Sequence, residues 1–133
     1  MTWRRATFAQ ALAATLQAAA DDYGEAPPPS VFALPPETLN APALVVGRPA
    51  EVLYGTGGLG VDVATVPVIC LAAMGGEDVV DALIAFVRGV LGDDPTVGGV
   101  AQIAYAPSER NWRAVRIGGA DMLAADVSLT VQM

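Results

Sequence analysis

From Leu123 to Met133 an apolar side chain falls on every second position. Leu123, Ala125, Val127, Leu129, Val131 and Met133 occupy one set, with Asp126, Ser128, Thr130 and Gln132 between them. A period of two places alternate residues on opposite faces of an extended chain, whereas a helix would spread the same residues around its axis. The segment therefore predicts a strand packed on a core by one face. A strand needs neighbours, so the chain must build a sheet.

Upstream segments can supply those neighbours. Ala43 to Gly47, Glu51 to Tyr54 and the long run from Val61 to Ala73 are rich in valine and isoleucine and read as strands. The hexapeptide Gly55-Thr56-Gly57-Gly58-Leu59-Gly60 separates the second and third of these, which predicts a hairpin with a flexible tip. From Val66 the long run is apolar on both faces, as in a central strand covered on two sides. Pro67 lies inside it and has no N–H to give a ladder, which points to an edge position or a bulge. Val100 to Ala106 and Trp112 to Ile117 are expected as two short strands joined by the polar turn Pro107 to Asn111.

Two helices complete the set. Arg5 to Ala20 is dominated by alanine, leucine and glutamine, with a stripe of Phe8, Leu12, Leu16 and Ala19. Glu77 to Leu91 has acidic Glu77, Asp78 and Asp81 near its start, Arg88 near its end and Gly92 after it, and buries Val80, Leu83, Ile84, Val87, Val90 and Leu91. Asp93-Asp94-Pro95 forms the exit turn. Residues 24–42 are a Pro-rich arm: six prolines between Glu25 and Pro42 deny helix and central strand. Its apolar Val31, Phe32, Leu34 and Leu39 suit an extended segment laid on a surface. Hairpins outnumber βαβ units in this order. The expected fold is a single α+β domain over residues 1–133, with a mainly antiparallel sheet and two principal helices packed on it.

At 133 residues and 13.6 kDa the chain fits one domain that buries roughly two thirds of its unfolded surface. Apolar residues make up 53% and charged residues 16%, an apolar balance for a small monomer, so part of the surface is expected to meet other subunits. The net charge of −7 disfavours tight nucleic-acid binding and suits a channel wall to which DNA does not stick. The sequence contains no histidine, which removes the commonest general base and metal ligand. The single cysteine, Cys70, lies in an apolar run and reads as a buried thiol in a reducing compartment. The start from Met1 resembles a secretory leader, but Gln10, Thr15 and Gln17 break its apolar stretch, and no segment has the ~20 continuous apolar residues of a membrane span.

Gly55 to Gly60 satisfies G-x-G-x-x-G, yet β-branched residues follow where a dinucleotide site needs a helix N-terminus, so no cofactor is expected. A hairpin tip that orders against a partner, through Gly55, Gly57, Gly58 and Gly60, fits the pattern better. The acidic clusters match neither a paired-carboxylate site nor a calcium loop, and no metal is expected. Ser30, Ser108 and Cys70 have no recognisable base beside them, so no catalytic residue is assigned. Arg110, Trp112, Arg113 and Arg116 form either a contact patch or an edge strand whose arginines cover the sheet.

The order of these elements, and above all the ending from Ile117-Gly118-Gly119-Ala120-Asp121 through Met133, resembles the tail terminator proteins of long-tailed, siphovirus-type bacteriophages. That family has no catalytic signature. The resemblance implies a non-enzymatic virion protein of the tail-neck region, assembled in the host cytoplasm as a homohexameric ring. Such a ring sits on the last ring of the tail tube, stops polymerisation and offers a surface to the head-completion or stopper protein. DNA passes through it without specific binding, and no membrane is involved. Gly55, Gly57, Gly58, Gly60, Arg110, Trp112 and Arg113 are the candidate subunit or tube contacts. The alternatives are another neck protein, a head-tail stopper or tail-completion protein, or a small monomeric ligand-binding module.

Overall fold

The computed structural model describes residues 5–22, 29–33, 39–55 and 62–132, with side chains from Phe8 onward in the first helix. Helix α1 spans Arg5–Ala20 and helix α2 spans Glu77–Asp93. Strands β1 (Ser30–Phe32), β2 (Ala43–Val46), β3 (Glu51–Leu53), β4 (Val63–Ala73), β5 (Ile103–Ile117) and β6 (Ala120–Gln132) form one sheet in the order β1-β2-β4-β6-β5, with β3 paired to β4 beside β2. Every pairing is antiparallel except β1 with β2. The chain is α+β, as its patterning predicts.

Both helices cover the same face. Helix α1 lies against β1 and β2, α2 against β4, β5 and β6, and the two touch each other. Phe8, Leu12 and Leu16 of α1 and Val80, Leu83, Ile84, Val87 and Leu91 of α2 meet Leu44, Val66, Val68, Cys70, Val127, Leu129 and Val131 in one buried cluster. Burying each large side chain of this set contributes about 1.5–3 kcal/mol. The α1 stripe continues to buried Ala20 rather than to half-buried Ala19, because a strict spacing of four from Phe8 tracks the contact line. Helix α2 runs past Gly92 to Asp93, with Val90 only half-buried, and the Asp94 N–H caps it on the Val90 carbonyl. No helix among the described residues is long and apolar enough to cross a membrane.

Pro67 sits in a central strand, and β4 itself has no bulge: its register with β6 is continuous from Val63–Gln132 to Ala73–Met122. The break is in the neighbouring chain. Strand β2 ends at Val46 opposite Val68 and β3 begins at Glu51 opposite Thr65, so Gly47, Arg48, Pro49 and Ala50 bow outward opposite Val66 and Pro67. A strand residue directs its N–H and C=O toward the same neighbour. The Pro67 carbonyl accepts from the Gly47 N–H at 2.9 Å, so its missing donor also faces the bow and costs the β4–β6 ladder nothing.

Strand β5 differs from expectation too. It is one 15-residue strand starting at Ile103, not two short ones, because β6 pairs along its whole length. Val100 lies in the preceding turn. The polar stretch is absorbed by register shifts between Tyr105 and Ser108 and between Arg110 and Arg113, each giving β5 one extra residue. Asn111, in the second bulge, has φ 62°, a left-handed value that asparagine tolerates. Within the Pro-rich arm, Ser30–Phe32 forms the edge strand β1. Leu34, Pro35 and Pro36, with Pro27 and Pro28, lie outside the described residues, as do Trp3, Arg4, Val61 and Met133.

Candidate functional site

Both helices lie on one face, and on the other face the β3–β5 end is exposed, with side chains that follow from the register. Across the β3–β5 end, Leu53, Val63, Gln132 and Ile103 form one row, and Glu51, Thr65, Thr130 and Tyr105 form the next row on the same face. Leu53 is 58% exposed, Ile103 40% and Tyr105 44%, with Tyr54 beside them at 61%. Large apolar side chains gathered on an uncovered sheet face form a contact surface of the kind that partner proteins bury.

Farther along the same face lies a polar cluster. Asp126 is 8% exposed, and its carboxylate accepts from Arg113 Nη1 at 3.1 Å and from Asn111 Nδ2 at 3.2 Å. The Arg113 guanidinium also donates to the Asn111 carbonyl at 2.7 Å, and Arg110 Nη2 donates to buried Ser128 Oγ at 3.2 Å. The second bulge makes this possible, since it brings Arg110, Asn111 and Arg113 together over Asp126 and Ser128. At the far end, Val45, Leu71, Met122 and Ala124 are buried beneath Phe32 and Leu39 of the arm, with Val115 and Ile117 alongside.

The structure thus gives Arg110 and Arg113 neighbouring partners on β6, Ser128 and Asp126, and sets Trp112 apart, its indole N–H donating to Glu109 at 2.9 Å. Gly55 lies at the other end of the sheet, where its N–H donates to the Asp62 carboxylate at 3.0 Å and closes the base of the β3–β4 hairpin. Gly57, Gly58 and Gly60 lie outside the described residues. Leu53, Ile103 and Tyr105 were not among the residues singled out from the sequence. Their signal is the alternation of Glu51 to Leu53 and of Ile103 to Tyr105, which is too short to announce an open face until the register is known.

On the helix side, an apolar trough of about 510 Å³ runs between α2 and β5, lined by Arg88, Gly89, Leu91, Gly92 and Ile103 to Ala106. A smaller hollow of about 180 Å³ continues past Arg88 to Glu109. Next to it, Asp94 organises a tight turn: its carboxylate accepts from Thr96 Oγ1 and the Gly98 N–H, and these bonds hold its carboxyl below the usual carboxylate range. Cys70 is fully buried. Burial pushes its thiol well above the ordinary range, with Asp126 and Glu109 adding to the shift, so the nucleophilic thiolate is suppressed. Among the described residues no three His, Cys, Asp or Glu side chains cluster to hold a metal ion. The chain matches no protein-family model and no curated protein.

Proposed function

We propose that this protein is a structural, non-enzymatic virion subunit that forms a ring on the head-proximal end of a phage tail tube, ends tube polymerisation and joins tail to head. The observation that carries the reading is the exposed end of the helix-free sheet face, where Leu53, Ile103 and Tyr105 are exposed together. A subunit that stacks on one ring and presents a surface to another needs such a face, rigidly backed by a packed core. The net charge of −7, multiplied over the copies of a ring, suits a lumen that DNA traverses without adhering. The closing hairpin of β5 and β6 supports the resemblance to tail terminators, whose ending this sequence shares in texture. The same exposed end would serve this chain equally as a head-tail stopper or tail-completion protein.

Light scattering coupled to size-exclusion chromatography, followed by negative-stain imaging, tests the proposal. A hexamer-sized ring with a central hole is expected. A strict 13.6 kDa monomer at every concentration would overturn it. That outcome would favour a second reading, a monomeric binding module using the trough between α2 and β5, whose volume falls within the range of small-molecule sites.

A further inference from the structure

Between α2 and β5 the chain turns through three consecutive residues with left-handed backbone: Val97 at φ 51°, Gly98 at 66° and Gly99 at 86°. Glycine takes such values freely, and a Cβ on Gly98 or Gly99 would meet nothing within 4 Å, so backbone conformation rather than lack of space calls for glycine there. Valine does not. A β-branched residue at positive φ is strained and stays so only where its surroundings hold it. Two things hold Val97. Its side chain is fully buried in the main core cluster, together with Ala101 and Ala104. Asp94, just beyond α2, ties the backbone around it: one carboxylate oxygen accepts from Thr96 Oγ1 at 3.0 Å and the other from the Gly98 N–H at 2.8 Å, while Thr96 Oγ1 accepts from the Gly99 N–H at 3.2 Å.

This turn leads directly into Ile103 and Tyr105, which are exposed with Leu53 at the end of the helix-free face. Sheet pairing gives that segment little support of its own. Ile103, Ala104 and Tyr105 pair with Gln132, Val131 and Thr130, and the first bulge then interrupts the ladder before Ser108. The remaining support comes from the turn: the Ala104 N–H donates to the Pro95 carbonyl at 2.6 Å and the Ala101 N–H to the Thr96 carbonyl at 2.9 Å. The strained turn and the start of β5 thus share hydrogen bonds and core contacts, which is what makes neighbouring segments open as one unit.

We infer that residues 94–105 form a strained latch that sets the contact surface. With Val97 seated and Asp94 bonded, Ile103 and Tyr105 are held in place on the sheet. When the turn opens, the strain at Val97 is relieved and both residues lose their fixed positions together. Asp94 is a positioning residue, acting on the surface through the Pro95–Ala104 bond. The use of the latch in assembly rests on the ring reading above, but its opening is a property of the chain itself.

Amide hydrogen exchange of the full chain, followed by NMR, tests it. Asp94→Ala removes both carboxylate bonds, and Gly98→Ala strains only the backbone, since its Cβ meets open space. Each is expected to speed exchange at Ala101 and Ala104 by a common factor of about tenfold or more, with the amides of the β4–β6 ladder unchanged. Ala104 is the decisive probe, because its own acceptor, the Pro95 carbonyl, is left in place by both substitutions. Faster exchange at Gly98 and Gly99 with Ala104 unchanged would overturn the inference, since the start of β5 would then be held by β6 alone. Equal acceleration throughout the β4–β6 ladder would also overturn it, because no separate unit would exist. If either variant fails to fold, Thr96→Val, which removes one exposed hydroxyl, replaces it under the same criteria. The ring reading is judged separately, by the mass of the wild-type chain, so the two can fail independently.

Discussion

Gly47 faces the Pro67 ring so closely that a Cβ on it would lie 2.9 Å from Pro67 Cγ and 3.3 Å from the Pro67 carbonyl oxygen. The bow that excuses the proline from hydrogen bonding thus depends on a residue without a side chain. Gly47→Ala is expected to cost about 1–3 kcal/mol through this overlap. Pro67→Ala removes the ring, so in a double-mutant cycle by urea unfolding the second substitution should recover a large part of the loss; additive costs would contradict the account. Asp94 makes a separate prediction. Its carboxyl is held low by the Gly98 and Thr96 bonds, so the contribution of the turn is fully present above the unfolded value of about 4 and is lost as pH falls through the lower folded value. The Gly98 amide resonance should follow that titration in wild type and be insensitive to it in Asp94→Asn.

At the level of elements, β5 shows how far the sequence can be read. Its ends alternate visibly, but Pro107 to Asn111 carries a proline, a serine and charges and resembles a turn. What keeps it extended is β6, a contact that no local pattern contains. The same holds for Pro67, whose tolerance in a central strand depends on the path of Gly47 to Ala50. Helix α2 and strand β6 were legible because one apolar stripe and one alternation each match a single period. Arg110, Arg113 and Arg116 were legible as a cluster, but not that Arg110 and Arg113 reach Ser128 and Asp126 on one face while Arg116 stands across from Asp121 on the other, since this depends on a bulge that shifts register. Asn111 tests that bulge. At φ 62° a β-branched residue is strained, and Asn111→Val also removes the donor to Asp126, so a loss of about 2–4 kcal/mol in thermal or urea unfolding is expected. Asn111→Gly keeps the backbone conformation and should lose only the hydrogen-bond part, about 1 kcal/mol.

For the whole molecule, the helix-covered face of the sheet holds the main core, while the other face is buried against the arm at one end and exposes Leu53, Ile103 and Tyr105 at the other. Leu53→Glu with Tyr105→Glu should leave the unfolding midpoint nearly unchanged, since exposed positions away from the core shift stability by about 0.5 kcal/mol or less. On the proposed ring reading, the same pair is expected to reduce capture of a tail tube protein in a pull-down by about tenfold or more, and undiminished capture would remove this exposed end of the sheet from that proposal. Strand β6 has a further consequence. It emerges from the ribosome after every other strand, yet it lies between β4 and β5 and lines the core with Ala125, Val127, Leu129 and Val131. A nascent chain halted before it exposes one full side of β4 and the apolar faces of both helices, and β5 has no strand to join. The packed core is therefore completed only once β6 is available, and a chain cut short before it presents bare strand edges and apolar surface, the features that make incomplete chains prone to aggregate.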